Sequence, residues 1–149
     1  MKRVLFLCTG NYYRSRFSEE LFNSLAKQHN LDWSADSAGL DPTQANHGPI
    51  SRYTLAACAR LRLERPVVER LPRRVTKEDF ATSDLVIAVK EAEHRPMMLR
   101  SFPEHLQQVE FWHVHDIDCA EPADTISDLE RRVAALVERL QRAVEAPAA

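Results

Sequence analysis

The segment Cys8-Thr9-Gly10-Asn11-Tyr12-Tyr13-Arg14-Ser15 holds the chain's most reactive combination of side chains. A cysteine and an arginine are separated by five residues, and a serine follows the arginine directly. A thiol beside a guanidinium at the start of a helix is in the setting that favours the nucleophilic thiolate. The planar fork of Arg14 suits two oxygens of a phosphate. Ser15 is placed to donate a hydrogen bond to the sulfur, which helps it leave in a second step. Gly10 is one of only three glycines in the chain, and it stands beside Asn11. Both residue types tolerate the left-handed backbone that a tight anion cradle needs. Together these groups fit attack on phosphorus through a cysteinyl-phosphate. The nucleotide-binding pattern G-x-x-x-x-G-K-[ST] is absent, which excludes that class of ATPase or GTPase. The competing reading is a buried structural cysteine and a surface arginine.

The chemistry requires this loop to sit at the end of a strand and the start of a helix. Val4-Leu5-Phe6-Leu7-Cys8 is an unbroken apolar run ended by a glycine-containing turn, which suits a buried parallel strand. Phe17, Leu21 and Leu25 then follow at helical spacing. In an open α/β sheet, ligands bind at the carboxyl ends of strands, and a helix N-terminus there favours an anion. Further along, Trp33 to Ser37 is a second strand candidate, Asp84 to Val89 a third and Val109 to Val114 a fourth. Ile50 to Leu63 reads as helix, and Thr76-Lys77-Glu78-Asp79 as a capping box opening a short one. Glu91 to Ser101 is helical in pattern but contains Pro96. The last helix is expected from Thr125, with Ile126, Leu129, Val133, Leu136, Val137, Leu140 and Val144 as its buried stripe and Ala146 to Ala149 as a frayed tail. Strands alternating with helices predict an α/β fold, a parallel sheet with helices on both faces.

Composition narrows the class. The 149 residues are 44% hydrophobic and 28% charged, an ordinary globular profile sized for one domain, here taken as 1–149. Twenty basic against twenty-two acidic side chains leave a net charge of −2, so bulk attraction to nucleic acid or an anionic membrane is not expected. Cys8, Cys58 and Cys119 form no C-x-x-C pair, which suggests a reducing, cytoplasmic setting and no disulfide framework. The apolar run after Lys2-Arg3 is too short for a signal peptide, and none reaches the length of a membrane helix. Between Arg60 and Arg74 lie six arginines (60, 62, 65, 70, 73, 74), read as a solvated face rather than a docking surface for an acidic partner.

The loop resembles that of the low-molecular-weight protein tyrosine phosphatases, commonly C-x-G-N-x-C-R-S-P and here CTGNYYRSR. The resemblance extends along most of the chain. Asp36-Ser37-Ala38-Gly39 matches the family's D-S-A-G. Arg74 to Phe80 with Asp84-Leu85 matches R-x-[IVL]-T-x-E-D-[LF]…D-L, and Val114-His115-Asp116 falls where the family has V-P-D-P-Y. The resemblance implies a four-stranded parallel sheet with flanking helices and a phosphate loop after the first strand. It implies Cys8 as nucleophile, Arg14 as phosphate clamp and Asp116 as general acid. The loop from Thr9, Gly10, Asn11, Tyr12 and Tyr13 through Arg14 to Ser15 would bind the phosphate, with Asn11, Ser15 and Ser37 holding the loop and the thiolate. No metal or cofactor is implied. The substrate would be a phosphorylated protein or a small phosphomonoester.

The departures from the family pattern bear on substrate. Asp118 stands where the family has a tyrosine, and two carboxylates two residues apart invite the question of which is the acid. Leu40-Asp41-Pro42-Thr43 replaces an often aromatic loop, so two aromatic walls are expected to be missing, with Tyr12 as the candidate replacement. Tyr13 stands where a second loop cysteine is common. Arg16 and Lys90 replace a usual proline and a usual aspartate. Other readings stay open: an arsenate reductase relaying a disulfide through Cys119, a phosphate-binding module without turnover, and a phosphoarginine or sugar-phosphate substrate. A metal site at His113, His115, Asp116 and Cys119 fits no standard spacing. None of the six histidines stands out as necessary.

Overall fold

Val4 to Leu7 are wholly buried, as the centre of a parallel sheet requires. In the computed structural model, which describes residues 1–43, 46, 48–63, 67–116 and 119–145, they belong to β1 (Lys2–Cys8). β1 pairs in parallel with β2 (Trp33–Gly39) on one side and β3 (Leu85–Ala88) on the other, and β3 pairs with β4 (Val109–Phe111). The order is β2-β1-β3-β4. The helices are α1 (Arg14–Gln28), α2 (Arg52–Leu61), α3 (Lys77–Thr82), α4 (Glu91–Ser101) and α5 (Pro122–Glu145), with a short 3-10 segment at Pro103–Gln108.

The two-residue period of β1 divides the core. Val4, Phe6 and Cys8 face one cluster, which holds Phe17 and Phe22 of α1 and Leu129 and Val133 of α5. Leu5 and Leu7 face the other, with Phe80 and Met98. Parity therefore sends Cys8 to the side of α1 and α5. The short α3 opens on the expected capping box, Thr76 and Asp79 bonding to each other's backbone N–H.

Two expectations for the last helix change. α5 begins one turn earlier, at Pro122, where a proline loses no helical bond. Val144, expected on its buried stripe, is exposed because the last turn has passed the end of the core. α4 runs unbroken through Pro96. Pro96 and Ala92, the residue four before it, both lie on the exposed face, so the carbonyl that loses its partner is open to water. Among the described residues no helix is long and apolar enough to cross a membrane.

Candidate active site

The loop between β1 and α1 closes around the Cys8 sulfur. The Asn11 backbone N–H donates to Cys8 Sγ at 3.3 Å, and Ser15 Oγ lies 3.0 Å from the same atom. Asn11 has φ +51°, the left-handed backbone expected of it. Its side chain determines which way the Ser15 proton points. Asn11 Oδ1 accepts from Arg70 Nη1 at 2.9 Å and from the Arg73 N–H at 3.1 Å, which sets the amide's orientation. Asn11 Nδ2 then donates to Ser15 Oγ at 3.0 Å and to Ser37 Oγ at 2.9 Å. With Ser15 accepting from Asn11, its own hydroxyl proton is directed at the sulfur. Ser37 is thus in the network, and it donates onward to Glu19 at 2.6 Å.

Gly39 ends β2 directly against this loop. A Cβ there would lie 2.8 Å from the Thr9 carbonyl oxygen and 3.2 Å from the Asn11 Cβ, so only glycine permits the approach.

Arg14, the first residue of α1, is buried together with its charge. Nη1 donates to the Val114 carbonyl at 3.1 Å, and Nη2 to Glu93 at 2.8 Å and Asp116 at 3.3 Å. Burial works against the charged guanidinium, but Cys8, Glu93 and Asp116 outweigh it and hold its pKa above the ordinary value. Cys8, Arg14 and Asp116 line one cavity of about 240 Å³ with Gly10, Tyr12 and Tyr53. Three tyrosines, Tyr12, Tyr13 and Tyr53, line it. Tyr53 comes from α2, and nothing in its sequence context marks it. Tyr13 is buried behind the loop, its ring 5.9 Å from Tyr53. Burial pushes its hydroxyl up to about 12.

Glu93 and His94 escape the sequence reading, in which no histidine stands out as necessary. His94 is completely buried. Its Nδ1 accepts from the Lys90 backbone N–H at 3.1 Å, so Nε2 carries the proton and meets Glu93 Oε2 at 3.0 Å. The Thr9 hydroxyl donates to that same oxygen. Burial pushes the Glu93 carboxyl up, yet hydrogen bonds from His94, Arg14 and Thr9 prevail and hold it well below the usual carboxylate range. For His94, burial outweighs Glu93 and lowers its pKa. Lys90, standing for a usual aspartate, sends its amine to Cys119 at 3.7 Å instead. Three residues later, Glu93 supplies one of the two carboxylates at Arg14.

The arginine-rich stretch is neither a solvated face nor a docking surface throughout. Arg70 ties Asn11 to Ser37 and Glu19, and Arg73 bridges Asp36 and Asp79. Arg60 and Arg74 form surface pairs with Glu130 and Asp41. Arg16 is wholly buried, with Nη1 on Glu19 at 2.7 Å and Glu20 at 3.1 Å and Nη2 on the Val68 carbonyl, and so anchors the segment before Arg70 to α1. Arg65, Asp118 and the tail Ala146 to Ala149 lie outside the described residues. Among the described residues no cluster of three or more His, Cys, Asp or Glu side chains is placed to hold a metal ion. Cys58 is buried, which pushes its thiol up to about 12, a poor relay partner.

The sequence model for the low molecular weight phosphotyrosine protein phosphatases matches residues 3–146. The chain belongs to this family. The human low molecular weight phosphotyrosine protein phosphatase is 31% identical over 102 residues, spanning 67% of this chain and 62% of its own length. The matched stretch thus spans less than two thirds of that relative. The protein-arginine-phosphatase of Bacillus subtilis is 27% identical over 106 residues, 71% of this chain and 67% of its own. Among solved structures, YfkJ from B. subtilis superposes with a TM-score of 0.82 at 21% identity, covering 95% of this chain and 96% of that one. A low molecular weight protein tyrosine phosphatase from T. tengcongensis gives 0.78 at 24%, covering 93% and 99%. The low molecular weight phosphatase fold is thereby matched over nearly the whole chain.

Proposed function

We propose that this protein hydrolyses phosphotyrosine in proteins, through a cysteinyl-phosphate, without a metal or cofactor. The observation that carries the reading is the convergence on one cavity of a sulfur hydrogen-bonded by Asn11 and Ser15, the Arg14 guanidinium and the Asp116 carboxyl. In the first step Cys8 Sγ forms a bond to phosphorus while the ester P–O bond breaks. Arg14 and the backbone N–H groups of the loop hold the charge that builds on the phosphoryl oxygens. Asp116 gives its proton to the departing phenolic oxygen. In the second step a water oxygen bonds to phosphorus, Asp116 takes its proton, and the S–P bond breaks. The Ser15 hydroxyl then stabilises the released thiolate.

The aromatic lining by Tyr12 and Tyr53 favours an aryl phosphate over an alkyl one, since flat rings pack against the substrate ring. Hydrolysis of para-nitrophenyl phosphate in EDTA, wild type beside Cys8→Ser, tests the chemistry. Turnover that vanishes in the variant is expected. Wild-type turnover that survives Cys8→Ser would sink the mechanism. Phosphotyrosine set against phosphoarginine tests the substrate, and preference for phosphoarginine would overturn that part.

A further inference from the structure

Tyr53 belongs to two cavities at once. One face borders the reaction cavity, and the other borders a groove of about 460 Å³ between α2 and the first turns of α5. The ring is held from two sides. Tyr13 packs on it, and the Arg52 guanidinium lies 4.9 Å from its centroid with Nη2 donating to its hydroxyl at 2.9 Å. The start of α2 is itself pinned to the loop, because the Ser51 N–H donates to the Tyr12 carbonyl at 2.9 Å and Thr54 Oγ1 to the Tyr13 carbonyl at 3.1 Å. Tyr53 is therefore a fixed partition, and the groove beyond it keeps one position relative to Cys8.

Between Tyr53 and the Arg60–Glu130 pair, most of the side chains that face the groove are short, Ile126 excepted. Ala56 and Ala57 line one wall, and Ala123, Ile126 and Ser127 the other. At its far end Arg60 and Glu130 pair with each other, so no net charge faces the groove from that end. A charged side chain entering it between the two helices would lose hydration, whereas an aliphatic one would gain by leaving water.

We infer that this groove is a subsite for an aliphatic side chain adjoining the phosphotyrosine of a peptide substrate. The inference rests on the phosphatase reading and names its substrate class further. Continuity identifies the occupant. Tyr53 borders both spaces, so a peptide that leaves the reaction cavity past Tyr53 crosses the groove at once, because an extended chain advances only about 3.3–3.6 Å per residue. A neighbouring residue is thus delivered directly over the groove.

The test uses two phosphotyrosine peptides that differ only in carrying leucine or aspartate at the positions flanking the phosphotyrosine. Their dissociation constants are measured on the full chain carrying Cys8→Ser, by fluorescence anisotropy, so that the result does not depend on turnover. The leucine peptide is expected to bind roughly tenfold more tightly, the scale of one partly buried aliphatic side chain. Ala56→Leu and Ala123→Leu, each at an exposed helical position, fill the groove from opposite walls. Each should abolish that preference while para-nitrophenyl phosphate turnover, measured with Cys8 intact, is unchanged. Equal binding of the two peptides, or a preference that survives both substitutions, would overturn the subsite. Loss of para-nitrophenyl phosphate turnover in the wild type would instead strike the phosphatase reading.

Discussion

Arg14 Nη2 lies 2.8 Å from Glu93 Oε2 and 3.3 Å from Asp116 Oδ2, so one nitrogen serves two carboxylates. Glu93 is the firmer partner, because Thr9 and His94 also donate to the same oxygen. Asp116 is the looser one, and its side chain is more exposed. In the proposed mechanism, a phosphate that accepts a hydrogen bond from Nη2 would displace the weaker contact first and free Asp116 for the leaving oxygen. Glu93 stays as the positioning residue for the guanidinium.

Glu93→Gln should lower kcat/KM for para-nitrophenyl phosphate and destabilise the fold by about 1–3 kcal/mol, the range for hydrogen bonds to a charged group. The pH dependence follows from its depressed pKa. An ionised Glu93 contributes fully above the unfolded carboxylate value of about 4.3, and that contribution is lost as pH falls toward the folded value. Urea midpoints of wild type and variant should therefore differ by a constant amount from pH 8 to about 5 and converge in stronger acid. A gap that widened on acidification would refute the assignment.

His94 has the opposite consequence near neutrality. Its folded pKa is lowered, so below about pH 6.5 the unfolded chain binds a proton that the native chain refuses. Stability should fall as pH drops from 7 to 5, and His94→Gln should flatten that slope. Nitrogen NMR of the imidazole checks the cause directly. A neutral ring protonated at Nε2 is expected above pH 7, and an Nδ1-protonated ring or an imidazolium there would contradict the geometry.

Asn11→Ala removes four side-chain hydrogen bonds and places a Cβ residue without local compensation at φ +51°. The cost expected is roughly 2–4 kcal/mol, with a large loss of kcat. Asn11→Gly accepts the backbone angle and should recover part of the stability but little of the activity, because Ser15 is still unaligned. Thermal denaturation and initial rates on both variants separate the two contributions.

Asp116→Asn should depress kcat by about 10²–10⁴, the usual share of a general acid, while phosphate inhibition stays close to wild type. Asp118→Asn should do much less. The reverse result would move the acid to Asp118.

Hydrogen peroxide should inactivate the protein without recovery in dithiothreitol. The sulfur of Cys8 is oxidised to a sulfenic acid, and Tyr13 occupies the place of a neighbouring thiol that would trap it as a disulfide. Further peroxide then carries it to the sulfinic acid, which thiols do not reduce. Full recovery after mild treatment would count against this.

Much of the candidate site was legible in the chain. Cys8, Asn11, Arg14 and Ser15 are close in sequence, so a strand, a turn and a helix start suffice to assemble them. Their chemistry depends on residue type and short spacing, both visible in one dimension. The parallel sheet follows from apolar runs alternating with helical patterns, and Gly39 from its place in the D-S-A-G motif.

What only the tertiary structure decided are contacts across long stretches of chain. Glu93 reaches Arg14 across 79 residues, Arg70 reaches Asn11 across 59, and Tyr53 becomes a wall because α2 packs on the loop. A glutamate in a helix's first turn, an arginine among arginines and a tyrosine on a half-buried helix all have ordinary local explanations. Their charge and shape acquire a role only when folding places an opposite charge, an amide or a cavity beside them. That pairing is set by the packing of distant elements, which local propensity and spacing do not encode.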